Sequence, residues 1–267
     1  MNNENFGANE SNRFEWPVTI SLPKSYELPD NQTKHYPVVY LLDGQILEGI
    51  TLGVLNYLAV SNPALEVIVV AIASEHRCRD FTPIQSDLQS NVADDNLSEA
   101  LFAGSGGADQ LLAFLTQTLI PYVDKHYRTQ GPRTLIGYSL SGLCALYTLF
   151  KYKGFFQQCV AIDPSLWWHR EYLLDYIQRD MAAHSGHSAE EGDAASLYLC
   201  ASNTPDLAAF QMQENAQRLQ ARLQHSALIQ SSTFETFPEA DHNTIVVPAL
   251  YQGLQRLWQL GAKPAGK

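Results

Sequence analysis

The chain has 267 residues, a formal net charge of −11 and a sequence pI near 5.1. This excess of acidic residues argues against a nucleic-acid-binding protein and against adsorption to anionic membranes, since both interactions need a basic surface. Hydrophobic residues make up 45% of the chain and charged residues 17%, a balance that excludes a disordered chain. The length is enough for one large core. We predict a single domain over residues 1–267, in which residues 1–13 are flexible.

Neither a membrane nor a metal is a predicted partner. No apolar run reaches the length of a membrane span, and the first residues, MNNEN, lack the basic and apolar regions of a signal peptide. The four cysteines follow no zinc-ligand spacing, and no pair of histidines has metal-ligand spacing on a helix. We therefore predict a cytoplasmic protein that needs no metal or cofactor. The sequence leaves open whether a homo-oligomer forms.

The first half of the chain alternates apolar strands with helical patterns. Strands are predicted at residues 14–22, 36–42, 67–73 and 134–138, and helices at 46–60 and 108–126. The first strand alternates in polarity and is expected at the sheet edge, whereas the next two are apolar on both faces, as in buried parallel strands. Residues 77–96 are polar and irregular and indicate a loop. Pro121 falls inside the second helical pattern and is expected to kink it.

The second half repeats this alternation. Strands are predicted at residues 159–162, 197–201 and 233–237, and helices from 140 to about 153, at 171–183, at 206–225 and at 245–260. Residues 163–195 are expected to form a loop and helix excursion near the site. Strands alternating with helices predict a doubly wound α/β fold, with a mostly parallel sheet and helices on both faces. In such sheets ligands bind at the carboxyl ends of the strands.

One strand leads directly into a short motif typical of a nucleophilic serine. Residues 137–142 read Gly-Tyr-Ser-Leu-Ser-Gly, close to the G-x-S-x-G nucleophile elbow, in which a serine sits on a strained strand-to-helix turn. Gly137 meets the need for a residue without Cβ in that tight turn, whereas Ser141 stands where glycine is usual. Ser139 is the predicted nucleophile. Ser141 is a weaker alternative, because it is expected inside the helix and facing away from the turn.

The partners of such a serine follow later strands and so lie at the same sheet edge. His242 follows the last strand and is the predicted base, and Asp206 follows an earlier one and is the predicted acid. The order Ser, Asp, His is that of α/β-hydrolases. The imidazole takes the proton of Ser139, and the carboxylate fixes the imidazole tautomer. Asp163 is the alternative acid, a Ser–His dyad is a third possibility, and Asp241 is too close in sequence to orient His242 well. Asp206 also suits the start of a helix, where an acidic residue complements the dipole.

The chain resembles the Putative esterase (esterase D-like) family of α/β-hydrolases, close to its IroE/Fes-type siderophore esterases. The similarity covers nearly the whole chain after Phe14. The matching segments are residues 36–44 (YPVVYLLDG), 77–83 (RCRDFTP), 106–109 (GGAD), 119–123 (LIPYV), 127–129 (YRT), 164–168 (PSLWW) and 241–242 (DH). The chain departs from the family pattern at Ser141, where glycine is usual, and at Asp163, where serine is usual.

The resemblance implies a serine esterase that cleaves small-molecule carboxylic esters through an acyl-enzyme intermediate. The substrate is a siderophore ester or a simpler aryl or acyl ester. A thioesterase of the S-formylglutathione hydrolase type and a non-catalytic binding protein with the same fold are the alternatives, since fold alone does not fix function. An intact Ser139 and His242 favour the enzyme.

The resemblance also implies further site residues. The oxyanion hole is expected to consist of the backbone N–H groups of Leu140 and Gln45. Trp167 and Trp168 are candidate walls of the substrate pocket, although large aromatic residues more often pack a loop onto the core. Arg79, like the neighbouring Arg77, is a candidate for recognising an anionic substrate group. The competing interpretation is that these arginines pair with a local carboxylate such as Asp80.

Overall fold

In the computed structural model of the chain, the described residues are 2–6, 16–87, 102–183, 194–203, 210–224 and 226–261, and they form one eight-stranded sheet flanked by helices. The strands are β1 (Asn2–Phe6), β2 (Trp16–Ser21), β3 (Tyr36–Leu42), β4 (Ile68–Ile72), β5 (Thr129–Tyr138), β6 (Gln158–Ile162), β7 (Ala195–Ser202) and β8 (Ile229–Phe237). They lie in the order β1-β2-β4-β3-β5-β6-β7-β8. Strand β2 runs antiparallel to β1 and β4, and the other neighbouring strands pair in parallel.

Helices cover both faces of this sheet. They are α1 (Gly44–Ala59), α2 (Arg77–Asp80), α3 (Ala108–Phe114), α4 (Ile120–His126), α5 (Leu140–Lys151), α6 (Trp168–Ala183), α7 (Met212–Leu223) and α8 (Val246–Gly261). Strand β3 contributes side chains to two hydrophobic cores, one on each face of the sheet. Val39 and Leu41 pack with residues of α1 and α8, whereas Val38, Tyr40 and Leu42 point to the opposite face, with residues of α3 and α5. The predicted doubly wound α/β architecture is confirmed.

The prediction that residues 14–22 form the outermost strand of the sheet is wrong. We expected the strand at residues 14–22 to lie at the edge, but β1 pairs outside β2, with Asn3 opposite Thr19. Residues 2–6, expected to be flexible, form that outer strand, and residues 7–13 of the same segment lie outside the described residues. The sequence NNENF carries no apolar alternation, and strand pairing rests on backbone hydrogen bonds, which every residue except proline can both donate and accept. The pattern of side chains therefore gave no signal for β1.

The helix predicted at 108–126 is interrupted before Pro121. Helix α3 ends at Phe114, a π-helical turn spans Leu115–Leu119, and α4 continues from Ile120. Proline has no N–H to donate to the carbonyl of the residue four positions earlier, and its ring crowds that carbonyl. A π-helical turn is one of the known ways in which a helix absorbs such a disturbance. The interruption lies where Pro121 predicts it.

Helix α6 begins with a left-handed turn. His169, Arg170 and Glu171 have φ of 45°, 53° and 62°, a conformation that costs a residue with a Cβ roughly 1–2 kcal/mol. This segment belongs to the excursion predicted at 163–195, of which residues 184–193 lie outside the described residues. No glycine or asparagine marks the turn. Over the described part of the chain, no helix is both long and apolar enough to cross a membrane.

Candidate active site

The turn between β5 and α5 places Ser139 at the carboxyl edge of the sheet. Ser139 adopts φ 59° and ψ −119°, which a residue with a side chain rarely occupies. The turn is so tight that a Cβ added to Gly137 would lie 2.1 Å from the carbonyl oxygen of Ser141. A strained, sharp turn at a serine is the geometry that exposes a nucleophilic hydroxyl.

Ser141 supports this turn and is not exposed for chemistry. Its side chain is fully buried, and its Oγ donates to the carbonyl oxygen of Tyr138 and accepts from the Tyr138 N–H, both at 2.8 Å. These two bonds explain how serine replaces the usual glycine, since the hydroxyl is satisfied by the backbone of the turn. The alternative in which Ser141 is the nucleophile therefore has no geometric support.

Three side chains form a continuous run of hydrogen bonds. Ser139 Oγ lies 3.0 Å from His242 Nε2, and His242 Nδ1 lies 2.7 Å from Asp163 Oδ2. An ionised carboxylate can only accept, so the bond to Asp163 assigns the imidazole proton to Nδ1. Nε2 is then the acceptor for the hydroxyl proton of Ser139. This is the arrangement in which an imidazole can remove the serine proton.

Asp163 is held for this contact by the neighbouring strand. It follows β6 directly and is fully buried. The N–H of Ser202, at the end of β7, donates to Oδ1 at 3.0 Å, and the Ser202 hydroxyl donates to Oδ2 at 2.6 Å. A buried carboxylate needs such donors to offset its lost hydration. These donors hold the Asp163 carboxylate beside His242.

His242 is positioned by Tyr138 as well as by the acid. The Tyr138 hydroxyl donates to the backbone carbonyl of His242 at 2.7 Å, and the two rings lie 4.8 Å apart. Burial raises the pKa of Tyr138 to about 12, so this hydroxyl remains a donor at neutral pH. Sequence reasoning missed this role, although Tyr138 directly precedes the predicted nucleophile.

The acid predicted for this site was Asp206, which lies outside the described residues. The carboxylate at His242 Nδ1 is that of Asp163, the alternative considered from the sequence. Asp241 is exposed, and its Oδ1 accepts from the N–H groups of Asn243 and Thr244 instead. The signal for Asp163 was present in the sequence, because it is the first residue after a predicted strand.

The two backbone groups predicted as the oxyanion hole begin neighbouring helices. Leu140 is the first residue of α5 and Gln45 the second of α1, and the strands that lead into these helices, β5 and β3, are paired. N–H groups in the first turn of a helix have no acceptor within that helix. They are therefore available to an oxyanion, although the oxyanion role itself stays a prediction.

Side chains hold the turn that leads into α1 and Gln45. Asp43 is buried with φ 60°, and Arg77 holds its carboxylate in a bidentate pair with both contacts at 2.8 Å. The Gln45 side chain donates to the carbonyl of Ser74 at 2.9 Å and accepts from its N–H at 3.1 Å. The structure thus gives Arg77 a positioning role that the sequence did not indicate.

A pocket of about 570 Å³ adjoins Leu140. It is lined by Glu75, His76, Arg77, Cys78, Arg79, Ala103, Gly104 and Leu140. Arg79 lines it, but its guanidinium is paired with Asp80 at 2.7 and 3.1 Å. The predicted role of Arg79 in substrate binding stays a prediction. A second cavity of about 200 Å³, beside α1 and β4, contains none of the predicted site residues.

The two tryptophans differ in their surroundings. Trp168 is 1% exposed, packs 5.4 Å from the ring of Phe102, and donates its indole N–H to the carbonyl of Ile84. It has almost no surface for a substrate to contact, which corrects the prediction that it lines the pocket. Trp167 is half-buried and packs 4.5 Å from the ring of Phe210. Its role as a pocket wall stays a prediction.

Metal ligands do not cluster in the part of the chain that is described. No group of three or more His, Cys, Asp or Glu residues there could hold a metal ion. All four cysteines are free, and three of them are fully buried.

The model of the Putative esterase family matches residues 11–245. The chain belongs to this family. It is 25% identical over 273 residues to the siderophore enterobactin esterase of Emericella nidulans, an alignment that covers 92% of this chain and 88% of the relative. It is also 25% identical over 201 residues to the ferri-bacillibactin esterase BesA of Bacillus subtilis, which covers 70% of this chain and 66% of the relative.

Solved structures of hydrolases have the same fold. The siderophore hydrolase EstA of Aspergillus nidulans superimposes with a TM-score of 0.82 at 22% identity, over 98% of this chain and 95% of that one. An IroE-like serine hydrolase of Shewanella oneidensis superimposes with a TM-score of 0.77 at 25% identity, over 92% of this chain and 76% of that one. The predicted α/β-hydrolase fold and the family resemblance are confirmed. The chain is a serine hydrolase of carboxylic esters.

Proposed function

We propose that the protein cleaves small-molecule esters with Ser139 as the nucleophile, His242 as the general base and Asp163 as the orienting acid. The observation that carries this proposal is the run of hydrogen bonds from Ser139 Oγ through His242 to Asp163 Oδ2, at 3.0 and 2.7 Å. Asp163 replaces Asp206 in this role, because Nδ1 has a single proton to donate and Asp163 is placed to accept it.

The reaction proceeds in two halves. In the first, Ser139 Oγ adds to the ester carbonyl carbon as its proton passes to His242 Nε2, and the alcohol leaves with that proton. In the second, His242 takes a proton from water and the water oxygen adds to the acyl carbon. The bond from that carbon to Ser139 Oγ then breaks, His242 returns the proton to Oγ, and the acid product is released. The N–H groups of Leu140 and Gln45 stabilise the carbonyl oxygen while it is negatively charged.

A siderophore ester is the substrate class we favour. Two relatives are named as esterases of siderophores, one of enterobactin and one of ferri-bacillibactin. The pocket beside Leu140 has a volume of about 570 Å³, within the usual range for sites that bind drug-sized ligands. Its wall carries the polar side chains of Glu75, His76, Arg77 and Arg79, and both arginines are already paired with carboxylates, those of Asp43 and Asp80. This supports an ester larger than acetate with polar groups.

A substrate panel tests this proposal. Wild type and Ser139→Ala are assayed with p-nitrophenyl acetate, a catecholate trilactone and an S-formylglutathione-type thioester, with products separated by chromatography. We expect the trilactone to give the highest kcat/KM with wild type, and Ser139→Ala to lose activity on every substrate. A preference for the thioester would reassign the substrate class, and an inactive wild type would indicate a binding protein.

We also propose that the protein works in the cytoplasm. The support is that all four cysteines are free thiols, as is usual where the compartment is reducing. Cell fractionation with an antibody against the chain tests this location. Recovery in a secreted or envelope fraction would contradict it.

A further inference from the structure

A second hydroxyl lies against the nucleophile. Ser165 Oγ is 3.3 Å from Ser139 Oγ, and the Ser165 N–H donates to the carbonyl of Ser139 at 3.1 Å. Ser165 is 2% exposed. Within the described residues, Ser139 Oγ is the side-chain partner of this hydroxyl. Both the backbone and the side chain of Ser165 are therefore hydrogen-bonded to Ser139, the proposed nucleophile.

The surrounding bonds decide which hydroxyl donates. Asp163 accepts from His242 Nδ1, so Nε2 carries no proton and must accept. Ser139 then commits its single hydroxyl proton to Nε2. In the pair of serines, the proton between the two oxygens must come from Ser165. Ser139 Oγ therefore donates to the imidazole and accepts from Ser165 at the same time.

We infer that Ser165 is a further catalytic residue, whose hydroxyl stabilises the negative charge on Ser139 Oγ when the serine proton has passed to His242. This inference rests on the proposed function of Ser139. Its bond is long in the resting site, where the acceptor is neutral, and hydrogen bonds to charged acceptors are shorter and stronger. The N–H groups of Leu140 and Gln45 act on the carbonyl oxygen of the substrate, whereas Ser165 acts on the serine oxygen.

The charge on this oxygen appears twice in a catalytic cycle. In acylation the O–H bond of Ser139 breaks, its proton goes to His242 Nε2, and its electron pair forms the bond to the carbonyl carbon. In deacylation, after water has added, the bond between that carbon and Oγ breaks, the electron pair returns to Oγ, and His242 gives the proton back. Ser165 keeps its own proton throughout and donates a hydrogen bond in both steps.

The test compares Ser165→Ala, Ser165→Thr and the control Ser25→Ala. Ser25 is also a buried serine with side-chain hydrogen bonds, to Tyr36 and Glu66, but it lies at the opposite end of β3 from the site. For each variant we measure kcat and KM for p-nitrophenyl acetate, their pH dependence, the rate of inactivation by a fluorophosphonate, and the melting temperature. The fluorophosphonate reports attack by Ser139 Oγ without any deacylation step.

We expect Ser165→Ala to lower kcat and the fluorophosphonate rate together by about 10- to 100-fold, as for a lost hydrogen bond to a charged group. KM, the melting temperature and the midpoint of the pH profile stay at wild-type values, because the bonds to His242 are intact. Ser165→Thr retains the hydroxyl and most of the activity. Ser25→Ala has the kcat and the fluorophosphonate rate of wild type.

Three results would overturn the inference. The first is a Ser165→Ala variant with both rates within about twofold of wild type. The second is a loss of rate accompanied by a shifted pH midpoint, which would indicate a displaced His242 and a structural role for Ser165. The third is a folded Ser165→Thr variant as slow as Ser165→Ala. If wild type itself fails to react with the fluorophosphonate, the proposed function of Ser139 fails instead.

Discussion

Asp163 Oδ2 accepts a hydrogen bond from His242 Nδ1 at 2.7 Å, although 79 residues separate the two in sequence. Strand β7 lies between β6, which Asp163 follows, and β8, which precedes His242. Ser202 at the end of β7 donates to both oxygens of Asp163. Residues that end or follow three adjacent strands therefore meet at this carboxylate.

The tight turn at the nucleophile predicts that Gly137→Ala abolishes activity. The new Cβ would lie 2.1 Å from the carbonyl oxygen of Ser141, so the turn must shift. We expect a fall in stability of at least about 1–3 kcal/mol, as for overpacking of a core, together with loss of esterase activity. Thermal melts and hydrolysis of p-nitrophenyl acetate measure both.

Gly49→Ala is the matched control, because a Cβ at Gly49, on helix α1, meets nothing within 4 Å. Alanine is favoured over glycine in a helix interior by about 1 kcal/mol, so this variant should melt slightly higher than wild type and keep full activity. A Gly137→Ala variant with wild-type activity would show that the turn is looser than the structure indicates.

Tyr138→Phe should lower kcat by about tenfold, the net worth of one hydrogen bond. The variant removes the hydroxyl that donates to the carbonyl of His242 but keeps the ring that packs on the imidazole. Because burial raises the pKa of Tyr138 to about 12, the contribution of this hydroxyl is present at neutral pH and is lost only as the pH rises through that value. The effect of the variant is therefore constant between pH 7 and pH 9.

Steady-state kinetics at several pH values measure this effect. Tyr57→Phe is the control, since Tyr57 is 70% exposed on α1, and it should match wild type. Equal kcat values for Tyr138→Phe and wild type would mean that Asp163 alone is sufficient to orient His242.

Much of the fold and part of the site could be predicted from the sequence, because apolar runs and a strained serine turn leave local signals. Ser139 and His242 each follow a strand at one sheet edge, as the pattern predicts. The left-handed turn at His169–Glu171 left no such signal, since no glycine marks it. That turn is held by contacts distant in sequence, such as the one between His169 Nδ1 and Ser86 Oγ at 3.1 Å.

The choice of acid could not be made from the sequence for a similar reason. Asp163 and Asp206 both follow predicted strands, and spacing along the chain does not tell which carboxylate reaches His242. In the structure the carboxylate that contacts His242 is that of Asp163, and it is oriented by the hydroxyl and the N–H of Ser202, a residue distant from it in sequence.

Cys78 should be the one thiol that reacts in the native protein. It is half-buried on the wall of the pocket beside Leu140, whereas Cys144, Cys159 and Cys200 are fully buried. Burial raises the pKa of Cys78, and Arg77 partly offsets this. Its reaction with a disulfide reagent should therefore accelerate as the pH rises, because the thiolate is the reactive form.

Thiol titration checks this prediction, with one reactive thiol expected per native chain and all four in denaturant. Modification of Cys78 should slow hydrolysis of a bulky ester more than that of p-nitrophenyl acetate, because it narrows the pocket. Cys78→Ser is the control and should resist inhibition by the reagent. Rapid reaction of a second thiol would contradict the burial of the other three cysteines. Full activity on the bulky ester after modification would contradict the binding of substrate in the pocket beside Leu140.

The proposed mechanism needs Asp163 to orient His242, and the kinetics of Asp163→Asn and Asp206→Asn test this role most directly. Both variants exchange a carboxylate for an amide of the same shape, so each serves as the control for the other, with thermal melts to verify folding. We predict that Asp163→Asn lowers kcat by as much as ~10⁴-fold, as when a triad carboxylate no longer fixes the tautomer, and that Asp206→Asn stays near wild type. A large fall in the kcat of Asp206→Asn, with the kcat of Asp163→Asn near wild type, would contradict the assignment of Asp163. If both variants keep a kcat near wild type, the site is a Ser–His dyad.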